Sequence, residues 1–318
     1  MRAIHVTPTH ALEIGDAPRP PLGPRDLRID VRATAVNRAD LLQRAGRYPP
    51  PPGASEILGL ECAGLVSEVG ADVRGWSVGD RAMALLAGGG YAEEVVVDAG
   101  SAMRVPDALG DEEAAAIPEV FLTAFLNLFL LARLRDGETV LIHGGGSGVG
   151  TAATTLAKLA GARVIVTAGS REKCERCLAH GADVAIDYRQ EDFVEKARGA
   201  NVILDHIGAR YLPRDLEALA TDGRVVIIGS MGGERVAEVD VVQLLGKRAQ
   251  IIGSTLRSRT VEDKAAIVEA FLGRFGADLE SGRIRPVIHA VLPLERAGDA
   301  HDLMEASEHF GKIVLRVK

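Results

Sequence analysis

The stretch from Thr139 to Thr151, Thr-Val-Leu-Ile-His-Gly-Gly-Gly-Ser-Gly-Val-Gly-Thr, constrains the fold more than any other part of this sequence. A short apolar run precedes the glycines, and apolar residues at helical spacing follow them from Ala152 onwards. Strand, glycine turn and helix is the context of a dinucleotide-binding loop, because glycines let the backbone approach a pyrophosphate and a helix start directs free N–H groups at it. The sequence therefore predicts such a loop here.

The glycine fingerprint of these loops aligns as Gly145-x-Ser147-x-x-Gly150, with serine in place of the second glycine. Gly148 and Val149 lie between the last two positions. A flexible surface loop is the alternative, but the apolar strand before the glycines and the helical pattern after them favour a phosphate-binding turn. The Ser147 hydroxyl is expected to face the cofactor, to cap the new helix, or to do both.

The strand predicted from Arg163 to Thr167 bears on the choice of cofactor. NAD-preferring sites have Asp or Glu at the end of this strand, where the carboxylate bonds the ribose hydroxyls. Here Gly169 and Ser170 follow the strand, and then come two cations, Arg171 and Lys173. A 2′-phosphate needs positive charge and room, so the sequence favours NADP(H). The alternative is that both cations are solvated residues of a helix start.

Composition restricts the class of protein. A chain of 318 residues is long for one core, so two domains are expected. Hydrophobic content of 47% with 25% charged residues describes a soluble globular protein, and the net charge of −7 argues against binding to nucleic acid or to an anionic membrane. No apolar run approaches the roughly 20 residues of a membrane-spanning helix. Three cysteines and no signal-peptide pattern predict a cytoplasmic location.

The pattern of the chain changes near residue 119. Before it, short alternating segments such as Leu27 to Ala33 are punctuated by glycines, which predicts a small β-barrel domain. After it, a helix predicted from Ala124 to Leu134 leads into alternating strands and helices up to a strand at Gln250 to Ile252. That alternation is typical of an α/β fold with a doubly wound parallel sheet.

Ordered motifs along nearly the whole chain carry a family resemblance. They are Asn37-Arg38-Ala39-Asp40-Leu41, Tyr48 with Pro50-Pro51-Pro52-Gly53, Leu58-Gly59-Leu60-Glu61-Cys62-Ala63-Gly64, Ala114-Ala115-Ala116-Ile117-Pro118-Glu119, Leu122-Thr123-Ala124-Phe125, Asp205-His206-Ile207-Gly208, Met231-Gly232-Gly233, Leu256-Arg257-Ser258-Arg259 and Gly311-Lys312-Ile313-Val314-Leu315. With the glycine loop, they resemble the zinc-free quinone oxidoreductases, the zeta-crystallin-like group of the medium-chain dehydrogenase/reductase superfamily. Within this group, the motifs resemble those of the stress-inducible quinone oxidoreductases of animal cells.

The resemblance implies a GroES-like catalytic domain, residues 1–118 and 258–318, around a Rossmann domain, residues 119–257. It implies an enzyme that binds NADPH and a small-molecule quinone, and a homodimer joined through the last Rossmann strand near Ile251. Asn37, Tyr48 and Thr123 would lie near the nicotinamide. Residues implied for the rest of the cofactor site are Gly145, Ser147, Gly148, Val149, Gly150, Gly169, Ser170, Lys173, Tyr188, Ile207, Gly208, Met231 and Leu256.

The residues at the superfamily's metal positions predict no zinc site. Asn37 replaces the first cysteine ligand, and Gly59-Leu60-Glu61 replaces Gly-His-Glu. Zinc sites of this kind need thiolate or neutral imidazole ligands, which these positions do not supply. Glu61 is interpreted chiefly as a carboxylate paired with an arginine. The pair Cys174 and Cys177 is interpreted chiefly as helix packing, with redox sensing as the alternative.

Hydride transfer from a reduced nicotinamide to a quinone fits a metal-free site. Tyr48 is the candidate proton donor or substrate-orienting residue, and equally a stacking lid; Asn37 is expected to bond the ribose or the substrate oxygen. A second interpretation is reduction of an activated C=C bond in an enal or enoyl thioester. A third is a non-enzymatic crystallin or RNA-binding role, against which the net charge and the cofactor motifs argue.

Overall fold

The computed structural model describes residues 1–235 and 238–318. They form two compact units, which we call the β-rich unit (Met1–Leu122 with Leu256–Lys318) and the parallel-sheet unit (Thr123–Thr255). The strands are β1 (Arg2–Val6), β2 (Leu12–Asp16), β3 (Asp26–Ala35), β4 (Glu61–Val69), β5 (Arg81–Leu85), β6 (Glu94–Asp98), β7 (Ala102–Arg104), β8 (Thr139–Ile142), β9 (Arg163–Ala168), β10 (Val184–Asp187), β11 (Ala200–Asp205), β12 (Leu219–Ile227), β13 (Gln250–Gly253), β14 (Ile288–Pro293) and β15 (Lys312–Arg316).

The helices separate and flank these strands. They are α1 (Arg38–Arg44), α2 (Asp111–Ala115), α3 (Pro118–Phe125), α4 (Gly148–Leu159), α5 (Arg171–Ala179), α6 (Phe193–Lys196), α7 (Leu212–Ala218), α8 (Val241–Lys247), α9 (Val261–Glu280) and α10 (Ala297–Glu305). Short 3₁₀ turns cover Ala99–Ser101 and Leu294–Arg296. None of the helices in the described ranges is both long and apolar enough to span a membrane.

The parallel-sheet unit is a six-stranded parallel sheet in the order β10-β9-β8-β11-β12-β13. The central strands are continuous apolar runs because both of their faces are covered. The strand order reverses between β8 and β11, and a ligand of such a sheet binds outside the carboxyl ends of the strands at this point. The predicted doubly wound parallel sheet is confirmed.

The β-rich unit is built around a seven-stranded sheet. The strands β14, β15, β3, β4, β5 and β7 follow one another, and β6 pairs with the other part of β3. The long strand β3 shifts register twice against β4, and it pairs with β15 and with β6 at different parts of its length. One core cluster centres on Leu27, Ile29 and Val66, and another contains Tyr91 and Ile313. The β-rich unit is therefore formed by two segments of the chain, one before and one after the parallel-sheet unit in the sequence.

The helix predicted from Ala124 to Leu134 differs in the structure. An α-helix, α3, begins at Pro118 and passes into a π-helix over Leu126–Leu131. The backbone N–H of Ala132 donates to the carbonyl of Asn127, and the Asn127 side chain donates to the carbonyl of Thr123 at 2.7 Å. The Asn127 side chain thus uses a carbonyl that a backbone N–H of the helix could otherwise use, and the helix has the wider π-turn at this place.

Candidate functional site

The glycine loop forms the turn between β8 and α4. Ser147 is the N-cap of α4, and its Oγ accepts a hydrogen bond from the Gly150 backbone N–H at 3.0 Å. A Cβ on Gly150 would lie 2.3 Å from the carbonyl oxygen of Gly144, so only glycine fits at this turn. The first N–H groups of a helix have no intrahelical partner, and Ser147 satisfies only that of Gly150. The N–H groups of Gly148 and Val149 therefore suit an anion such as a pyrophosphate.

The end of β9 forms a second part of the site. Ser170 is the N-cap of α5 and accepts from the Lys173 backbone N–H at 3.2 Å. A Cβ on Gly169 would lie 2.7 Å from the hydroxyl oxygen of Tyr188, so these two predicted cofactor residues are in contact. Burial is the main cause that lowers the pKa of Lys173. Arg171 instead pairs with Glu175 at 3.0 Å on the solvent-exposed surface of α5.

The loop after β11 is held by the last residue of that strand. The Asp205 carboxylate accepts from the backbone N–H groups of Ile207 at 2.6 Å and Gly208 at 2.9 Å. Gly208 has a φ of +80°, which favours glycine. The carbonyl of Ile207 accepts from Gly232, and the neighbouring Met231 side chain is 57% exposed. An aspartate at this strand end thus fixes the backbone of two predicted cofactor residues.

Behind these loops lies a buried group that we call the histidine cluster: His143, Thr167, Asp205 and Asp215. The His143 Nε2 lies 2.8 Å from Asp215 Oδ1, and its Nδ1 lies 3.1 Å from Thr167 Oγ1. Thr167 Oγ1 also accepts from the Gly144 backbone N–H at 3.3 Å. The cluster therefore brings together residues at the carboxyl ends of β8, β9 and β11. No sequence pattern indicates this cluster, although His143 stands directly before the glycines.

Within the described ranges, His143, Asp205 and Asp215 are the one group whose side chains could together approach a metal, since their ligand atoms lie within 4.8 Å of one another. Both imidazole nitrogens and both Asp205 oxygens are already engaged in hydrogen bonds. Burial, followed by the carboxylate of Asp215, raises the pKa of Asp205 to about 6. Shared protons in a hydrogen-bond network account for this arrangement better than a metal ion does.

The β-rich unit contains a second polar group, the lysine cluster: Asn37, Glu61 and Lys312, which are buried, and Glu119, which is partly exposed. The Lys312 ammonium lies 2.7 Å from Glu61 Oε1, 2.6 Å from Asn37 Oδ1 and 2.9 Å from the carbonyl oxygen of Val36. The Asn37 amide donates to Glu61 Oε1 at 2.9 Å and to the Ala35 carbonyl at 3.2 Å. Glu61 was expected to pair with an arginine; its partner is a lysine.

Most of the hydrogen-bonding capacity of the Asn37 side chain is therefore used within the β-rich unit. Both hydrogens of its Nδ2 are donated and its Oδ1 accepts from Lys312, which leaves one lone pair on that oxygen for a ligand. Nearby, Asp40 accepts from the backbone N–H groups of Asn37 and Gly59, and burial raises its pKa to about 6. Asn37 organises a buried network as well as standing at a predicted catalytic position.

Tyr48 lies in the same unit, on the segment after α1. Arg257 donates from Nη1 to the Tyr48 carbonyl at 3.3 Å, and its guanidinium carbon is 5.3 Å from the centre of the Tyr48 ring. Arg257 also donates to the Ala87 carbonyl and to Gln43, so it fixes this segment. Burial, followed by the nearby Glu119, raises the pKa of Tyr48. The Tyr48 hydroxyl thus stays protonated at neutral pH and is available as a donor.

The remaining predicted residues differ in exposure. Leu256 is buried in the β-rich unit, directly before Arg257. Thr123 is partly exposed on α3, where its carbonyl accepts from Asn127. Cys174 and Cys177 are both buried, and burial raises the pKa of Cys177 to about 12, which favours their interpretation as packing residues.

Comparison with known proteins identifies both parts of the chain. Residues 23–107 match the alcohol dehydrogenase GroES-like domain, and residues 148–271 match the zinc-binding dehydrogenase family. Quinone oxidoreductase from Lama guanicoe is 33% identical over 330 residues, which cover 100% of this chain and 98% of that protein. The predicted GroES-like and Rossmann fold class is confirmed.

Solved structures agree with the sequence matches. An NAD-dependent alcohol dehydrogenase is 33% identical, with a TM-score of 0.85, and covers 100% of both chains. A mycobacterial protein complexed with NADPH, Rv1454c, is 30% identical with a TM-score of 0.85 and also covers 100% of both chains. The CurK enoyl reductase is 27% identical with a TM-score of 0.87, covering 100% of this chain and 99% of that one.

Proposed function

We propose that this chain, which belongs to the quinone oxidoreductases of the medium-chain dehydrogenase/reductase superfamily, is an NADPH-dependent quinone reductase that works without a metal. Membership makes it a nicotinamide-dependent oxidoreductase that acts on a small molecule. The observation that carries the finer proposal is the loop after β9. There Lys173 stands beside Gly169 and Ser170, where an NAD-preferring site would place an acid.

The choice of cofactor can be tested with two matched lysine and arginine variants. NADPH should bind at least about tenfold more tightly than NADH, or roughly 1.4 kcal/mol. Lys173→Met should abolish most of this preference because it removes the cation proposed to contact the 2′-phosphate. Arg171→Met, which removes a solvent-exposed cation paired with Glu175, should leave it unchanged. Equal dissociation constants for NADPH and NADH in the wild-type protein would count decisively against the assignment.

Donor chemistry supports a site without zinc. At the family's ligand positions stand an amide at Asn37 and an apolar side chain at Leu60. The Lys312 ammonium contacts Asn37 and Glu61 in this place, so a cation is already present. Zinc in such a site needs thiolate or imidazole ligands, and these residues do not fit it. Elemental analysis that finds about one chelation-resistant zinc per chain would refute this part of the proposal.

A reduced nicotinamide held by the glycine loop would supply the hydride for the quinone. Tyr48 then acts as a hydrogen-bond donor that orients the substrate oxygen, with Arg257 holding its segment in place. Tyr48→Phe should reduce turnover by about 10²-fold or less, because a water molecule can donate the orienting hydrogen bond in place of the hydroxyl. Tyr48→Ala also removes the ring and should raise the Michaelis constant for the quinone if the ring covers the substrate. Neither change should alter NADPH affinity much.

The glycine loop gives an independent test of cofactor placement. Ser147→Val removes the N-cap of α4 and places a branched apolar side chain beside the N–H groups of Gly148 and Val149. NADPH affinity should therefore fall. A Ser147→Val protein that binds NADPH as tightly as the wild type would place the phosphates elsewhere.

The second candidate is reduction of an activated C=C bond, which the structural similarity to an enoyl reductase supports. Steady-state rates with 1,4-naphthoquinone, an enal and crotonyl thioester distinguish the two candidates. A rate with the naphthoquinone that exceeds the other two supports quinone reduction. Activity confined to crotonyl thioester would replace the proposal by the second candidate, and binding of NADPH with no turnover of any substrate would remove both.

We also propose a homodimer formed through β13, which lies at one edge of the parallel sheet. Ile251 on this strand is 39% exposed, and Val242 and Leu245 on α8 are 78% and 71% exposed. A second copy paired edge to edge would satisfy the open strand and cover an apolar surface. Light scattering should give a dimer mass, Ile251→Lys should shift it to a monomer mass, and Val78→Lys at an exposed position of the β-rich unit should not. A wild-type monomer at micromolar concentration contradicts the proposal.

A further inference from the structure

Two carboxyl groups of the lysine cluster have opposite surroundings. Glu61 is fully buried, and each of its oxygens is matched: Oε1 faces the Lys312 ammonium and the Asn37 amide, and Oε2 accepts from the Glu119 backbone N–H at 2.9 Å. These donors suit a carboxylate anion. Glu119 Oε2 is also buried, but it finds no donor among the residues the structure describes. An ionised carboxyl would be costly in such a place, whereas a neutral one is tolerated.

The groups around Glu119 explain this division. The side chain lies close to one carboxylate that already holds the local cation, so a second negative charge is unfavourable there. Burial and the carboxylate of Glu61 raise the pKa of Glu119 to about 8, and Asp40 adds to the rise. Lys312 and Lys264 oppose it. Electrostatic interactions also join Glu119 to Tyr48 and Arg257. The charged or titratable groups that face it are Asp40, Tyr48, Glu61, Arg257, Lys264 and Lys312.

The position of Glu119 on its helix leaves part of it accessible. Six of the eight residues of α3 are buried, and the two that keep some exposure are Glu119 and Thr123. They are one helical turn apart, so their side chains are on the same face of the helix. Thr123 is a predicted contact of the nicotinamide. Glu119 thus combines one carboxyl oxygen in the protein interior with partial exposure of the residue, which suits a group that gives up a proton and regains it.

We propose that Glu119 is the proton donor of the reduction, and that Glu61, held ionised by Lys312, keeps Glu119 protonated between turnovers. This inference rests on the proposed function and adds the residue that completes it. Reduction of a quinone adds two electrons and one proton as a hydride and a second proton. The hydride comes from the cofactor, the O–H bond of Glu119 breaks as the O–H bond of the hydroquinone forms, and the Glu119 carboxylate then takes up a proton from water.

Tyr48 and Glu119 have different tasks in this scheme. The pKa of Tyr48 is raised from a value near 10, so its hydroxyl donates a hydrogen bond without releasing its proton at neutral pH. Glu119 is the acid, because its pKa lies close to the working pH, where a general acid is most effective. Loss of the Tyr48 hydroxyl and loss of the Glu119 proton should therefore affect the pH profile differently.

Glu119→Gln tests the inference, since the amide has nearly the shape of the neutral carboxyl and no transferable proton. With 1,4-naphthoquinone at neutral pH, kcat should fall about 10²-fold while the dissociation constant for NADPH stays unchanged. In the wild type, kcat should fall as the pH rises through about 8, and this limb should be absent in the variant. Glu119→Asp should restore part of the rate. Glu113→Gln, which removes a partly exposed carboxylate paired with Arg285, should match the wild type.

A measurement without turnover complements the kinetics. Infrared difference spectra of the cofactor-free protein should show loss of a protonated carboxyl band as the pH rises through about 8, and Glu119→Gln should lack this change. An active wild type with an unchanged kcat and pH profile in Glu119→Gln would overturn the proton-donor role and leave the proposed function standing. A wild type that reduces no substrate overturns both proposals. A folded, NADPH-binding variant confirms that lost activity reflects chemistry.

Discussion

The lysine cluster of the β-rich unit and the histidine cluster of the parallel-sheet unit solve the problem of buried charge in different ways. In the first, one ammonium touches a carboxylate, an amide and a backbone carbonyl. In the second, an imidazole lies between a threonine and an aspartate, and backbone N–H groups satisfy another aspartate. The first depends on a single permanent cation, whereas the second distributes its hydrogen bonds over three strand ends.

The two networks are therefore suited to different tasks. In the lysine cluster, Lys312 pairs with the Glu61 carboxylate and leaves the neighbouring Glu119 without a counter-ion among the described residues, so the two carboxyl groups differ chemically. A network of shared hydrogen bonds with no lysine or arginine holds backbone segments in position. We therefore expect substitutions in the lysine cluster to change stability and proton chemistry, and substitutions in the histidine cluster to change the geometry of the cofactor loops.

The largest expected effect follows from Lys312→Met. This change leaves Glu61 buried without its counter-ion, and the loss of one partner of a buried ion pair costs about 3–5 kcal/mol. Urea unfolding followed by circular dichroism should show the shift in midpoint. Lys158→Met, which breaks the more exposed pair with Asp183, should cost less than about 1 kcal/mol. Adding Glu61→Gln to Lys312→Met should recover part of the stability; a single variant as stable as the wild type contradicts the role given to Lys312.

Asp215→Asn tests the histidine cluster and should have the next largest effect. The amide can still accept from His143, but its NH₂ group replaces an oxygen that has no partner within residues 1–235 and 238–318, so a cost of about 1–3 kcal/mol is expected. The pKa of Asp205, which the Asp215 carboxylate raises, should fall in a carbon-detected NMR titration. Asp222→Asn, at an exposed pair with Arg248, serves as the control. An unchanged Asp205 titration would show that the two carboxyls are independent.

Thr167→Val and Thr34→Val each remove a buried hydroxyl, one from each unit, and their effects on NADPH binding can be compared. Thr167→Val removes the hydroxyl that joins His143 to the Gly144 backbone N–H and should cost about 1 kcal/mol of stability and weaken NADPH binding. Thr34→Val removes a similar buried hydroxyl, which donates to the Glu61 carbonyl in the β-rich unit. It should cost a similar amount and leave the NADPH dissociation constant unchanged. Equal effects of both variants on NADPH binding would show that the histidine cluster has no special link to the cofactor loops.

The last prediction concerns how stability changes with pH, rather than its value at one pH. Because the folded-state pKa of Glu119, about 8, lies above the ordinary value of 4.5, the folded protein binds this proton more tightly than the unfolded chain does. The resulting contribution favours folding at low pH and is lost as the pH rises between these two values. Glu119→Gln should therefore flatten the pH dependence of the urea midpoint in this window, and Glu113→Gln should not. A steeper dependence in Glu119→Gln would contradict a folded-state pKa of Glu119 above its ordinary value.

The local parts of the structure were predictable from sequence. The glycine turn and the N-cap at Ser147 depend on residues within three positions, and the structure has both. The clusters depend on residues far apart in the chain, such as His143 with Asp215 across 72 positions and Asn37 with Lys312 across 275. No periodicity reveals such pairs, which is why Glu61 was expected to meet an arginine. The π-helix was not predicted either. It is accompanied by a hydrogen bond from one side chain, Asn127, to the Thr123 carbonyl, and the hydrophobic pattern does not reveal such a bond.

The order of the strands in the β-rich sheet has a consequence for biosynthesis. β15 lies between β14 and β3, and it carries Lys312 to Glu61 at the start of β4. During translation, every residue of the parallel-sheet unit leaves the ribosome before β15 does, so that unit has its full sequence available first. Until β15 emerges, β3 has an open edge and Glu61 has no counter-ion. Nascent chains halted just before residue 312 should therefore protect the parallel sheet from protease while leaving the earlier strands open to attack.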